Sequence, residues 1–211
     1  FQNPTNALNP AFRVGEQIAE VAREVRGADE TDARERAIEL MDDVGIPEAE
    51  ARYDDYPHEF SGGMKQRVLI AKSLACRPSL LIADEPTTAL DKTTEAQLLD
   101  LIEEMCEEYG LSVLIITHDL RVISRLCDRV VVMYAGQTAE IGPTREVIKN
   151  PVHPYTKGLV RAIPRMGAET EQELESIDGT VQDLVDPNDG CPFYDRRPLA
   201  TEHRPTSHPQ L

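Results

Sequence analysis

Tyr56-Pro57-His58-Glu59-Phe60-Ser61-Gly62-Gly63-Met64-Lys65-Gln66-Arg67 is followed closely by Leu80-Leu81-Ile82-Ala83-Asp84-Glu85-Pro86. Ser61 is a good cap for a helix start, because its hydroxyl can accept a backbone N–H that the helix leaves unpaired. The residues after it predict a helix over 62–76, stopped by Arg77-Pro78. Leu80–Ala83 is too short and too continuously apolar for an amphipathic helix, so it reads as a buried, parallel strand. A glycine-rich helix start suits an anion held on backbone N–H groups. Two adjacent acids at the end of a buried strand suit a metal ligand beside a general base. Together they point to chemistry at a nucleotide phosphate. The chain contains no Gly-Lys dipeptide, so it holds no G-x-x-x-x-G-K-[ST] phosphate loop. It reads as the later part of an ATPase.

The flanking residues give strands alternating with helices. Residues 1–10 are rich in Pro and Asn and predict a loop. Val14, Ile18, Val21 and Val25 recur at helical spacing. Ala33, Ala37, Leu40, Met41 and Val44 mark a second helix, capped by Thr31 or Asp32 and ended by Gly45. Leu98, Ile102, Met105 and Tyr109 mark another, ended by Gly110. Residues 112–117 form a second buried strand, and 120–126 a short helix. Residues 129–134 and 137–141 form a hairpin around Ala135-Gly136. This order implies an α/β sheet with helices on its faces. After Pro164 the periodicity fades, and an irregular C-terminal extension is expected.

Composition narrows the class. The 211 residues are 40% hydrophobic, enough for a sizeable core, and Trp is absent. No apolar run approaches the ~18 residues of a membrane span, so any membrane role is peripheral. The chain starts at Phe1 without a signal peptide, which fits a fragment. Cys76, Cys106, Cys127 and Cys191 are scattered and contain no C-x-x-C, which predicts buried structural thiols in a reducing compartment. The net charge is −16, and lysine is confined to Lys65, Lys72, Lys92, Lys149 and Lys157. Acids spread along the whole chain favour a surface adapted to high salt over an acidic docking patch. Nucleic-acid binding is disfavoured, since phosphate backbones need clustered positive charge.

Each motif also has an ordinary explanation. Ser-Gly-Gly alone is most often a helix cap, and glycines serve a phosphate only if it approaches the backbone closely. Acids after a strand are often solvated loop starts. Yet Asp84 and Glu85 fall where α/β sheets bind ligands, at the C-terminal edge of a strand. There Asp84 can coordinate Mg2+ and Glu85 can polarise water. His118 follows the second strand at the same edge. It is either a structural hydrogen-bonder or a sensor of a terminal phosphate. Gln2 in a loop means nothing by itself.

In order, these residues resemble the ATP-binding subunits of ABC transporters. Phe1-Gln2-Asn3-Pro4 is similar to that family's Q-loop, and Phe60-Ser61-Gly62-Gly63-Met64 to its signature motif. Leu80–Glu85 resembles its second nucleotide motif, Ala89-Leu90-Asp91 its D-loop and His118 its switch histidine. Tyr56–Phe60, Asn150–Leu159 and Gly190-Cys191-Pro192-Phe193 are similar to the di- and oligopeptide importer branch. Members of that branch often carry two more cysteines, where this chain has Arg197 and Arg204, and one thiolate cannot hold an iron–sulfur cluster.

The resemblance implies a partial P-loop NTPase fold of the α/β class, with parallel core strands. A Q-loop and helical subdomain would span 1–60, the ATPase core 61–149 and the peptide-importer extension 150–211. It implies ATP as substrate and Mg2+ as cofactor. Two ATPase subunits would meet head to tail. Ser61, Gly62 and Gly63 would face the γ-phosphate of nucleotide bound by the partner subunit. Asp84 and Gln2 would serve the metal, Glu85, His118 and Gln2 would be catalytic, and Asp91 would couple the two sites. Permease subunits, and indirectly an extracellular solute-binding protein, would complete an importer at the cytoplasmic face of the membrane. The alternatives are an ABC ATPase of repair or translation, and a non-catalytic interaction protein that keeps the fold.

Overall fold

The computed structural model describes residues 7–88, 90–162, 192, 193 and 196. Gln2, Ala89, Cys191 and nearly all of the expected extension beyond 164 lie outside them. The chain divides into two compact units at His118/Asp119, a boundary that runs through the segment 61–149.

The first unit is mainly helical. Helix α1 (Val14–Arg26) buries Val14, Ile18, Ala19 and Ala22, and Gly27 ends it at φ 68°. Val25, expected on the apolar face, is exposed in the last turn. The Tyr53 ring lies where a Cβ on Gly15 would be, 2.1 Å away, so only glycine lets that ring close over α1. Gln17 is buried and organises the preceding loop. It accepts the Asn9 N–H at 2.9 Å and donates to the Asn9 and Phe12 carbonyls at 3.0 Å each.

Helix α2 (Glu30–Asp43) is capped by Asp29, which accepts the Asp32 N–H at 2.9 Å. The cap lies earlier than Thr31 or Asp32, because Asp29 alone has the extended backbone that aims its carboxylate at the first turn. Gly45, at φ 73°, and the Ile46 N–H bonded to the Met41 carbonyl close its other end. A short helix α3 (Ala49–Arg52) and a 3-10 turn (Pro57–Glu59) lead to α4 (Gly62–Leu74). Helix α4 ends two residues before the expected Cys76.

Strand β1 (Leu80–Asp84) and strand β2 (Ser112–Ile116) pair in parallel, with α5 (Lys92–Tyr109) as their crossover. Their register sets Asp84 opposite Ile116. Leu81, Ala83 and Ile115 point into buried surroundings, whereas Leu80, Ile82, Leu114 and Ile116 are about half exposed. The alternation is the period-2 geometry of a strand with one covered face. Ile18, Leu40, Met41, Val68, Leu74 and Ile102 are buried in the shared core of this unit.

The second unit holds α6 (Leu120–Leu126) and a hairpin of β3 (Arg129–Tyr134) and β4 (Gln137–Pro143). Ala135 and Gly136 both have positive φ, 49° and 76°, as a two-residue hairpin turn of the right twist requires. Two helices that sequence periodicity did not reveal follow: α7 (Thr144–Lys149) and α8 (Pro154–Arg161). Ile123, Val130, Val132, Ala139 and Val147 form its core with the aromatic pair Tyr134 and Phe193, packed edge to face at 5.1 Å.

Glu140 is buried here, yet its carboxylate accepts the Val152 N–H at 2.9 Å and the His153 N–H at 3.0 Å. Burial pushes this carboxyl upward, but the Val152 N–H, the Thr156 side chain and the His153 N–H together outweigh it and hold it below the usual range. The His153 side chain in turn accepts the Tyr155 N–H and caps α8, whose first residue is Pro154. Cys76, Cys106 and Cys127 are free thiols, partly rather than fully buried, because each sits at a helix end or flank. Among the described residues no helix is long and apolar enough to cross a membrane.

Candidate functional site

The site assembles at the C-terminal end of the parallel strands. Strand β1 ends at Asp84, which is half-buried. Glu85 then turns away in the left-handed region, φ 49°. A side chain there costs about 1–3 kcal/mol and persists only where its surroundings hold it. They do. The Glu85 N–H donates to the Ile116 carbonyl at 2.8 Å. The Thr88 hydroxyl donates to Oε2 at 2.9 Å, and His118 Nδ1 lies 2.8 Å from Oε1. The hydrogen bond to His118, more than that to Thr88, holds the Glu85 carboxyl below the usual range, against a smaller upward effect of burial. His118 is itself largely exposed, so the imidazole can meet a ligand while keeping the carboxylate.

The helix start that drew attention in the sequence is α4. Ser61 caps it by accepting the Met64 N–H at 3.3 Å. The Gly62 and Gly63 N–H groups are free of the helix's own ladder, as at any helix start, and the first turn contains no acid to compete for an anion. The two glycines differ. A Cβ on Gly62 would meet nothing within 4 Å, so its backbone is open to approach. A Cβ on Gly63 would sit 2.7 Å from Thr94 Cγ2, so packing against α5 already excludes a side chain there.

Asp91 caps α5. It accepts the Thr93 and Thr94 N–H groups at 3.0 Å each and the Thr94 hydroxyl at 2.7 Å. The Thr94 N–H, first among these, holds its carboxyl below the usual range. Thr94 thus packs on Gly63 with its methyl and holds Asp91 with its hydroxyl.

The structure therefore brings Glu85 and His118 into direct contact, and links Gly63 to Asp91 through Thr94. Gln2 is outside the described residues. Sequence reasoning missed Thr88, Thr94 and Gln66. Gln66 carried a legible signal: it is a polar residue one turn before Leu69 and Ile70 on the same helical face. Among the described residues no cluster of three His, Cys, Asp or Glu side chains can hold a metal. Asp84, a half-buried carboxylate at the end of β1, is the type of donor that Mg2+ travelling with a nucleotide uses, since that ion needs only one or two protein carboxylates beside phosphate oxygens and water.

Comparison with known proteins shows the family. Residues 1–88 match the family described as ABC transporter, and residues 139–203 the one described as Oligopeptide/dipeptide transporter, C-terminal region. The chain is 50% identical, over 96% of its length, to the oligopeptide transport ATP-binding protein OppD of Salmonella typhimurium, covering 60% of that protein. It is 46% identical, over its full length, to the dipeptide transport ATP-binding protein DppD of Haemophilus influenzae, covering 64% of it. It thus spans about three-fifths of the length of the curated relatives it matches.

Among solved structures, cbiO1 of Clostridium perfringens, part of an ABC transporter complex, aligns with TM-score 0.63 at 33% identity. That alignment covers 71% of this chain and 58% of the other. An ATP-binding cassette solved as a dimer with ADP and Pi aligns with TM-score 0.58 at 31% identity, covering 69% and 61%. The fold is that of the ABC ATPases, and the chain belongs to the ABC transporter family, with the C-terminal region of its oligopeptide/dipeptide transporters.

Proposed function

We propose that this chain works within the ATP-hydrolysing subunit of an importer for peptides or a related small solute. The observation that carries the reading is the Glu85 carboxylate, held in a left-handed turn between Thr88 and an exposed His118. A carboxylate fixed this way, and kept ionised, can orient and deprotonate a water in line with a terminal phosphoryl group. His118 fixes Glu85 and presents its imidazole to that phosphate. Asp84 and Gln2 would hold Mg2+, which would neutralise charge on the phosphate oxygens.

Ser61, Gly62 and Gly63 offer a hydroxyl and backbone N–H groups to the γ-phosphate of nucleotide in the partner subunit, where fixed donors stabilise developing charge. Asp91 couples the two sites across the subunit interface. The helical unit at 11–60, within the Q-loop and helical subdomain at 1–60, presses on the permease, 61–149 form the ATPase core, and 150–211 form the importer-type extension. The partners are a second ATPase subunit, permease subunits and, through them, an extracellular solute-binding protein. The location is the cytoplasmic face of the membrane, held peripherally.

The test is to isolate the complete subunit from membranes. Co-purification with permease subunits, and ATP turnover that responds to solute and binding protein, support the reading. Turnover without membrane partners would favour an ABC ATPase of another kind, and no turnover at all would favour an interaction protein. The net charge of −16 further supports adaptation to high salt; unfolding at low salt, reversed by molar KCl, is the measurement, and stability indifferent to salt would end that idea.

A further inference from the structure

We infer that Gln66 is a positioning residue for Glu85, tying the helix that begins at Ser61-Gly62-Gly63 to the turn that carries the proposed base. The inference rests on the function proposed above and adds a residue to it. Gln66 lies in the second turn of α4 and is 7% exposed. Its Nε2–H donates to the carbonyl of Pro86 at 2.7 Å, across 20 residues of chain. Pro86 directly follows Glu85, so the bond holds the peptide one residue beyond the left-handed turn, and the fixed φ of Pro86 carries that restraint back to Glu85. The near side is gripped by the Ile116 carbonyl. Left-handed backbone at a side-chain-bearing residue needs such holding from outside, and Gln66 supplies it from another element. Its Oε1 has no partner among the described residues, so the Pro86 bond is what orients this buried amide.

The next residue points the same argument elsewhere. The Arg67 guanidinium donates to the Val44 carbonyl at the end of α2. Two consecutive residues of α4 thus hold two separate backbone segments, the end of the helical pair and the Glu85 turn. A shift of α4 when its N-terminus engages a phosphate reaches the Pro86–Thr87 peptide through Gln66, and through the fixed φ of Pro86 the turn at Glu85. The inference is that phosphate contact at Ser61–Gly63 sets the geometry of Glu85.

The test uses the complete subunit in its assembly. Gln66→Met keeps the length and removes the donor. Turnover per folded molecule is expected to fall about tenfold to a hundredfold, the scale of a catalytic group misplaced by about 1 Å, while KM for ATP stays within about twofold. Gln66→Glu is the second variant. Its ionised carboxylate cannot donate to Pro86, whereas the protonated acid can, and burial favours the protonated form. Its turnover relative to the parent is therefore expected to rise as pH is lowered. A role in stability alone would change the melting temperature and leave kcat and this pH profile alone. Parental kcat in Gln66→Met, or a pH profile for Gln66→Glu parallel to the parent's, overturns the inference. If Gln66→Met does not fold, the profile of Gln66→Glu decides. A parent assembly without ATP turnover removes the proposed function itself, and Gln66's role with it.

Discussion

His118 Nδ1 lies 2.8 Å from Glu85 Oε1, although 33 residues separate them in the chain. The pairing follows from the parallel register, which sets Asp84 opposite Ile116 and so brings the residues just beyond each strand end together. It makes Glu85 a carboxylate with both oxygens engaged before any ligand arrives. Glu85→Gln in the complete subunit is expected to slow ATP hydrolysis by orders of magnitude while nucleotide binding is kept. Turnover and equilibrium binding measured on the same preparation check this, and near-parental turnover would remove Glu85 as the base.

The same pair has a pH signature. Glu85 titrates below its ordinary value of 4.5 because His118 and Thr88 favour the ionised form. A carboxyl depressed in the folded state stabilises the fold above its unfolded value, and that contribution is lost as pH falls through the lower folded value. His118→Ala is expected to move the Glu85 midpoint back up towards 4.5. The stability difference from the parent should be small, about 0.2–1 kcal/mol near neutrality, because the pair is partly solvated, and should vanish in acid. Carboxyl NMR titration reads the first effect and denaturation at several pH values the second.

Gly63 and Thr94 form a testable contact. Gly63→Ala adds a Cβ 2.7 Å from Thr94 Cγ2. Thr94 cannot rotate away cheaply, because its hydroxyl is bonded to Asp91. Alanine gains helix propensity of up to about 1 kcal/mol, but the overlap costs about 1–3 kcal/mol, so a net loss is expected. Thr94→Ser removes the methyl and keeps the hydroxyl. The double variant should recover most of the loss, as a thermal-unfolding double-mutant cycle would show. Additive losses would mean the contact is not what excludes a side chain at 63.

Glu140→Ala tests the second unit. It leaves the Val152 and His153 N–H groups without their acceptor at the start of α8. Each orphaned donor costs about 1–3 kcal/mol, so a destabilisation of about 2–6 kcal/mol is expected in chemical denaturation. A change below about 0.5 kcal/mol would show that the segment Asn150–Tyr155 does not depend on this carboxylate.

The chain by itself is expected neither to bind nor to hydrolyse ATP appreciably, since it holds no G-x-x-x-x-G-K-[ST] loop to cradle the phosphates. Calorimetry and a phosphate-release assay on the isolated polypeptide check this. Measurable Mg-ATP turnover would contradict it.

The sequence by itself determined the elements whose causes are local. Ser61 announces a helix start, Gly45 and Gly110 helix ends, Ala135-Gly136 the hairpin, and the apolar runs at 80–83 and 112–117 the strands. Each depends on neighbours within a few residues, and caps, turns and periodicity record such short-range preferences. Helices α7 and α8 were not legible, because they are short and one is fixed from outside by Glu140 rather than by its own periodicity. Only the tertiary structure decided that Glu85 takes a left-handed turn against His118, that Gly63 is bare because of Thr94, and that Gln66 reaches Pro86. Those pairings depend on strand register and helix packing, which bring distant residues to hydrogen-bonding distance and leave little trace in the spacing of either partner.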